Sequence, residues 1–299
     1  MKKIVLPVDF SENTECACNY AIHFAEKEET EIVLFHAYMY PIATTDMADD
    51  VVDSSALINP EIMDSIEKAA KVGMKRLKDK LDKMLKHEEI KNIHLKTKVI
   101  NGMVEYEILN ICNTYHPNMV IMSSSGQGHK SDRILGSIAL KILDNATIPV
   151  LSIPDNTEYA NIRNVLYITD FDESDISAVE NLVDILDSLK VKIHCLHVEH
   201  SNKDIIDNLL MNYLKEHFEE EFKNGIMFFD VVQDKDVLKA VEEYIKDKEI
   251  NLVTLLHHKR RLLSKLFHPS MTKKVFYHTA LPLLTFHDTR QLADNEIED

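Results

Sequence analysis

The chain has 299 residues, a net charge of −16, and 45% hydrophobic and 28% charged residues. These values are ordinary for a folded protein of about two domains, and they exclude a disordered chain. The acidic charge excludes a general nucleic-acid binder, which needs a basic surface to displace counterions from phosphates. No apolar run approaches the roughly 20 residues of a membrane span, and the first residues contain no signal-peptide core. We therefore expect a cytoplasmic protein with no membrane contact.

Apolar runs alternate with stretches of helical period along the first half of the chain. In chain order they predict a strand at 2–9, a helix at 11–29, a strand at 31–38, a helix at 60–87, a strand at 93–100, a helix at 104–115, a strand at 119–123, a helix after Gly136 and a strand at 148–153. Alternating strands and helices are typical of parallel strands joined by crossover helices. The pattern predicts an open α/β sheet.

The same pattern then begins again. Residues 164–198 align without a gap on residues 3–37, so that Asp170 corresponds to Asp9 and His197 to His36. A second ungapped match near the end of each half pairs Ser270 with Ser137. Self-similarity at this scale indicates a duplicated unit. We predict two tandem domains, at 1–154 and 161–287, followed by an acidic tail at 288–299.

The four cysteines are Cys16, Cys18, Cys112 and Cys195. Their number and spacing do not suit the disulfide framework of a small secreted protein. Cys16 and Cys18 are two residues apart on a predicted helix, where they point to different faces and make a poor metal pair. We expect buried, reduced thiols and no metal site.

Three of the six glycines stand in residues 123–137, with the sequence SSSGQGHKSDRILGS. This stretch follows a predicted strand and leads into a predicted helix at Ser137. Ligands of open parallel sheets bind beyond the carboxyl ends of the strands, and the N-terminus of a helix favours anions. The combination favours a phosphate, although the stretch is neither a P-loop nor the Gly-x-Gly-x-x-Gly fingerprint. A plain tight turn is the alternative.

These residues resemble the universal stress protein family, whose nucleotide-binding members carry Gly, two residues, Gly, nine residues, Gly and then Ser or Thr. Here Ser123 stands at the first glycine, and Gly126, Gly136 and Ser137 follow at the same spacing. The segments KKIVLPVDFSEN, LFHAY and IPVLSI also look like strands of the family, and the resemblance covers both halves. It implies two tandem flavodoxin-like (Rossmann-like) open parallel-sheet α/β domains, packed as a pseudo-dimer through their last strands.

The resemblance also implies an adenine-nucleotide site in the first domain, for ATP or a related nucleotide with or without Mg²⁺. The end of the first strand and Ala37 would hold the adenosine, with the Asp9 carboxylate accepting hydrogen bonds from the ribose. The end of the fourth strand and the helix after it would hold the phosphates. The implied site residues are Pro7, Val8, Asp9, Ala37, Met122, Ser123, Gly126, Gly136, Ser137 and Ile138.

Structural roles compete with these assignments. Asp9 alone is equally compatible with capping the first helix or its turn. His36 and His197 occupy matched positions at strand ends, which indicates structural roles rather than ligand contact. For His129 in the glycine stretch, a solvated loop position is favoured over a phosphate contact.

The second domain departs from the pattern. Its three glycine positions hold Leu256, Lys259 and Pro269, and Ser270 alone is retained. Side chains then stand where backbone would approach phosphate, and proline has no N–H group. We predict a degenerate site there. The basic cluster at 257–261 is either a solvated turn or a site for an anion or an acidic partner.

The sequence thus predicts a stress protein that binds an adenine nucleotide and acts through its conformation or through an unidentified protein partner. No general base, Walker lysine or carboxylate cluster is placed for phosphoryl transfer, so no catalytic residue is assigned and at most slow ATP hydrolysis is expected. The alternative is a nucleotide-independent interaction module in which Ser123 marks a decayed site. Serine hydrolase chemistry lacks its Gly-x-Ser-x-Gly elbow. The sequence is also compatible with a homodimer of whole chains.

Overall fold

A computed structural model describes residues 1–40, 60–125, 135–171, 174–199, 205–257, 274–275 and 279–287. The acidic tail and most of the glycine stretch, including Gly126 and His129, lie outside these ranges. None of the helices within them is long and apolar enough to cross a membrane.

The first half contains five strands alternating with four helices. Their bounds are β1 Lys2–Pro7, α1 Glu12–Ala25, β2 Thr30–Tyr38, α2 Pro60–His87, β3 Ile93–Asn101, α3 Val104–Tyr115, β4 Met119–Ser123, α4 Ser137–Asn145 and β5 Val150–Ile153. In the second half they are β6 Asn164–Ile168, α5 Asp175–Leu186, a 3-10 helix Asp187–Leu189, β7 Lys192–Glu199, α6 Ile205–His217, α7 Glu219–Lys223, β8 Met227–Gln233, α8 Val237–Asp247, β9 Leu252–His257 and β10 Leu283–His287.

All ten strands form one sheet in the order β3-β2-β1-β4-β5-β10-β9-β6-β7-β8. Each half has the doubly wound order 3-2-1-4-5, and neighbouring strands within a half are parallel. The halves join through β5 and β10, which pair antiparallel with Leu284 opposite Leu151. The predicted open α/β fold, with its two halves joined through their last strands, is confirmed.

The sheet is buried on both faces, as parallel sheets require. Successive side chains of a strand point to opposite faces, so Ile4 and Leu6 of β1 pack in one core layer and Val5 in the other. The first layer is covered by α1, α2, α5 and α6, and the second by α3, α4 and α8. The helices therefore stand on both faces in each half.

The duplication extends to local backbone geometry. Phe10 and Phe171 both adopt left-handed φ angles, 62° and 61°. His36 packs its ring 4.3 Å from Phe10, and His197 packs 4.2 Å from Phe171. The Nδ1 atom of each histidine donates to the carbonyl two residues before the phenylalanine, at 2.7 and 2.9 Å. Both histidines thus hold the turn after the first strand of their half, a structural role.

The end of the first helix differs from the sequence expectation. The first helix ends at Ala25 rather than at residue 29, because the side-chain amide of Asn92 donates to the carbonyls of Glu26 and Glu28 in the turn that leads to β2.

Three cysteines are buried as expected, but Cys16 is partly exposed. Burial raises the pKa of the Cys112 thiol to about 12, so this thiol stays protonated at neutral pH.

Candidate functional site

A cavity of about 610 Å³ opens at the carboxyl ends of β1 and β4, where the strand order of the first half reverses. Its volume lies within the roughly 300–1,000 Å³ typical of ligand pockets, and its position is the one where open α/β sheets bind ligands. Nine of the ten implied site residues line it: Pro7, Val8, Asp9, Ala37, Met122, Ser123, Gly136, Ser137 and Ile138. The tenth, Gly126, lies outside the described residues.

One side of the cavity is apolar. Phe35 and Ala37 of β2 meet Val104 and Ile108 of α3 there, and Ala139 of α4 closes the same side. The sequence analysis did not assign the α3 residues to the site. Their spacing of four, which places both on one face of a helix, was the available signal, but it does not distinguish a cavity wall from ordinary core packing.

An aromatic row runs along the cavity from the end of β1. The ring of Phe10 lies 4.3 Å from His36, His36 lies 6.5 Å from Tyr38, and Tyr38 lies 5.5 Å from Tyr40. The Tyr40 hydroxyl next to it raises the pKa of Tyr38 to about 12, so this hydroxyl is neutral at physiological pH. Phe10, His36 and Tyr38 of this row line the cavity and offer flat aromatic surface to a ligand.

Asp9 belongs both to the turn after β1 and to the cavity wall. Its Oδ1 atom accepts hydrogen bonds from the Ser11 backbone N–H at 3.0 Å, from the Ser11 hydroxyl at 2.6 Å and from the Thr14 hydroxyl. Ser11 is the N-cap of α1 and accepts from the Thr14 N–H at 3.2 Å. Ser11 is thus the cap of α1, and Asp9 holds the turn that leads into it. The Asp9 carboxylate borders the cavity as well.

The N-terminus of α4 faces the cavity. Gly136 is its N-cap and makes no side-chain capping bond, while Ser137 and Ile138 of the first turn are exposed. The first N–H groups of a helix have no intrahelical acceptor and carry the positive end of its dipole. Gly136 has φ −63° and ψ 160°, which any residue adopts. The backbone conformation at this position therefore does not itself require glycine.

The end of β4 is tied to the linker between the halves. The Ser125 hydroxyl donates to Oδ2 of Asp155 at 2.5 Å and accepts from Nδ2 of Asn13 at 3.0 Å. Gly136 in turn donates its N–H to the Ser124 carbonyl at 2.7 Å. These bonds fix both ends of the glycine stretch. Ser123, which replaces the family's first glycine, lies half-buried in the cavity wall.

The second half places different groups at the equivalent point. Leu256 is buried at the position of Ser123. Asp175, at the position of Thr14, is 2% exposed and accepts hydrogen bonds from the Tyr167 hydroxyl at 2.6 Å and from the Thr169 hydroxyl at 2.5 Å. A buried carboxylate needs such partners. Lys259, Pro269 and Ser270 lie outside the described residues, as does the basic cluster after His257.

The sheet order and the cavity at its switch point define a tandem, doubly wound α/β protein with a ligand-sized site in its first half. The model of the Universal stress protein family matches residues 1–154 and 161–287. The chain belongs to this family.

Individual relatives agree with this assignment. Universal stress protein YxiE of Bacillus subtilis is 24% identical over 151 residues, which cover 50% of this chain and 97% of that protein. The crystal structure of a universal stress protein from Archaeoglobus fulgidus covers 97% of both chains with 15% identity and a TM-score of 0.69. A structure from Pseudomonas aeruginosa, described as a putative universal stress protein, covers 100% of this chain and 97% of its own, with 11% identity and a TM-score of 0.60. The two structures show the fold over the whole tandem chain.

Proposed function

We propose that the first domain binds ATP or a related adenine nucleotide in the cavity at the ends of β1 and β4. The observation that carries this proposal is the convergence of residues far apart in sequence, at 7–9, 37, 122–123 and 136–138, around one cavity of ligand size. The family resemblance predicts the same residues from the sequence alone.

The chemistry of the cavity suits the three parts of a nucleotide. The apolar side between Ala37 and Ile108 would take the base. Asp9 would accept hydrogen bonds from the ribose hydroxyls, and the N–H groups at the start of α4 would take phosphate oxygens, since helix N-termini bind phosphates readily. Mg²⁺ is commonly held by substrate phosphates and one or two carboxylates, and Asp9 is the carboxylate of the described lining.

The proposed role is that of a cytoplasmic stress protein that reports nucleotide binding through its conformation or to a protein partner. Hydrolysis, if measured, should be slow. The titratable side chains of the described lining are Asp9, His36 and Tyr38, and Asp9 and His36 both make hydrogen bonds that hold the turn after β1. The described lining includes no lysine or arginine to stabilise charge on a transferring phosphoryl group.

The test uses the duplicated aspartates. Asp9→Asn keeps an oxygen that accepts from Ser11 and Thr14 but removes the negative charge, whereas Asp170→Asn makes the same change at the equivalent position of the second half. Hydrogen bonds to charged groups contribute about 1.5–3 kcal/mol. We therefore expect Asp9→Asn to weaken ATP binding at least about tenfold in a calorimetric titration of nucleotide-free protein. Asp170→Asn should leave the affinity unchanged.

The opposite result, a loss of affinity in Asp170→Asn but not in Asp9→Asn, would place the nucleotide in the second half. No binding of ATP, ADP or AMP at millimolar concentration by the parent protein would refute the proposal. It would then favour the alternative, a nucleotide-independent interaction module.

A further inference from the structure

The helix α4 reaches from the candidate phosphate site to the second half of the chain. It has nine residues, a length of about 13 Å at 1.5 Å per residue. At its C-terminal end, Nε2 of His287 donates to the Leu143 carbonyl at 2.8 Å. Nε2 of His257 lies 3.2 Å from Oδ1 of Asp144. Both histidines belong to the second half.

The sheet explains how two histidines of the second half reach this helix. His257 ends β9 and His287 ends β10, and the two residues are register partners. Because β10 pairs antiparallel with β5, the carboxyl end of β10 lies beside the end of the first half where α4 leads into β5. The two imidazole rings stand 5.9 Å apart, and the His257 side chain is 3% exposed. Both contacts therefore lie where the two halves of the sheet meet.

The hydrogen bond from His287 satisfies a specific need of α4. The last carbonyls of a helix have no intrahelical donor, and the chain turns to an extended conformation at Ala146, directly after the helix. The N–H of Ala146 still reaches the Ile142 carbonyl. The Leu143 carbonyl, one residue further on, takes its hydrogen bond from His287.

We propose that His287 and His257 are positioning residues for the phosphate end of the nucleotide site, acting through α4. This inference rests on the proposed nucleotide binding in the first domain. Hydrogen bonds from N–H to oxygen require distances of about 2.7–3.2 Å, so a small tilt of a short helix displaces its first N–H groups from phosphate oxygens. Anchoring the C-terminal end restrains that tilt. The second half thereby contributes to a site whose described lining residues belong to the first half.

In a competing interpretation, the histidines only cap α4 locally and do not affect the phosphate site. Comparing ATP with adenosine distinguishes this interpretation from the positioning role. Adenosine has no phosphate and would not contact the α4 N-terminus, whereas ATP would. A loss of positioning therefore weakens ATP binding and leaves adenosine binding unchanged. General destabilisation of the domain affects both ligands alike.

The experiment compares His287→Ala and His257→Ala with the conservative variants His287→Gln and His257→Gln, in which the glutamine amide can donate from a place close to Nε2. His217→Ala is the matched control, because His217 is an exposed histidine of α6 paired with Glu180, on the opposite face of the sheet from α4. The affinities for ATP and adenosine are measured by calorimetric titration and competition. Urea unfolding of each variant monitors its stability.

We expect His287→Ala to bind ATP about fivefold more weakly, the effect of about one hydrogen bond. His257→Ala, which loses the close approach to Asp144, should weaken ATP binding in the same direction, and adenosine affinity should be unchanged in both variants. The glutamine variants should recover most of the ATP affinity, and His217→Ala should match the parent protein. Unchanged ATP affinity in both alanine variants, or equal losses for ATP and adenosine, would overturn the inference alone. No ATP binding by the parent protein would overturn the proposed function and this inference together.

Discussion

His194 lies in a buried polar cluster between β7, β8 and α8. Its Nδ1 atom lies 3.2 Å from the Tyr244 hydroxyl, which donates to Oδ2 of Asp230 at 2.5 Å, and its ring stacks 5.0 Å from Phe228. Burial lowers the pKa of His194 below its usual 6.5, since desolvation disfavours the charged ring more strongly than the Asp230 charge favours it. Lys248 and Lys192 nearby act in the same direction as burial.

This shift predicts a pH dependence of stability. The unfolded chain binds a proton at His194 at higher pH than the folded chain does, so the free energy of unfolding falls as the pH drops from about 7 through 6.5 and below. His194→Gln removes this contribution. Urea unfolding between pH 7.5 and 5 should therefore show a shallower loss of stability for the variant than for the parent protein. Parallel curves would contradict the assignment.

At the scale of single residues, the sequence located most of the candidate site but not its local geometry. The family resemblance predicts site residues near 9, 37, 123 and 137, and the structure brings these residues together at one cavity. The left-handed turn at Phe10 was not predicted, because a non-glycine residue with positive φ has no reliable sequence signal. Nor could the sequence reveal that Asp155 in the linker would hold the loop after β4 through Ser125.

Among the elements, α2 shapes the cavity through one glycine. A Cβ atom on Gly73 would stand 2.8 Å from Cε2 of Phe10. The Phe10 ring is held against His36 and lines the cavity, so it has little freedom to move away. The missing side chain in the middle of a long helix therefore makes room for the aromatic wall of the site.

Gly73→Ala is therefore expected to have two opposing effects on the free energy of unfolding. Alanine is about 1 kcal/mol better than glycine in a helix interior, whereas forcing extra atoms into a packed position costs about 1–3 kcal/mol. We expect overpacking to prevail and the free energy of unfolding to fall by about 1 kcal/mol. Val72→Ala is the control, because Val72 is exposed on the same helix and its replacement by alanine should stabilise slightly. A gain of stability in Gly73→Ala would show that Phe10 moves freely.

The observed helices and strands agree closely with those predicted from the sequence, except at some of their ends. The helical period predicted α2 and α3 with the bounds observed, because long charged or amphipathic helices carry a strong signal. The last four residues assigned to the first helix form instead the turn to β2, which depends on Asn92. That contact joins segments more than sixty residues apart, and local periodicity contains no information about it.

At the scale of the molecule, the chain is a duplicated unit whose halves share a fold and differ at described positions equivalent to the cavity lining. Equivalent turns, histidines and strand orders persist in both. At the position of Thr14, which lines the cavity, the second half has the buried Asp175, bonded to Tyr167 and Thr169. The second half is shorter mainly in the crossover from β7 to β8, which spans residues 200–226 (27 residues), whereas the corresponding crossover from β2 to β3 spans residues 39–92 (54 residues).

The join between the halves could be expected from the sequence only through the family resemblance, since edge pairing leaves no periodic signal of its own. The structure shows β5 and β10 as the central antiparallel pair of a continuous sheet, with Ser152 and Thr285 fully buried there. One polypeptide thus contains two equivalent sheet halves, and the proposed function assigns nucleotide binding to only one of them.

The measurement that tests this account most directly is the stoichiometry of ATP binding to the nucleotide-free, full-length chain. Calorimetric titration with an independently determined protein concentration should give one ATP per chain, bound in the first half. Two sites per chain would contradict the assigned asymmetry between the halves, and no binding would contradict the nucleotide site itself.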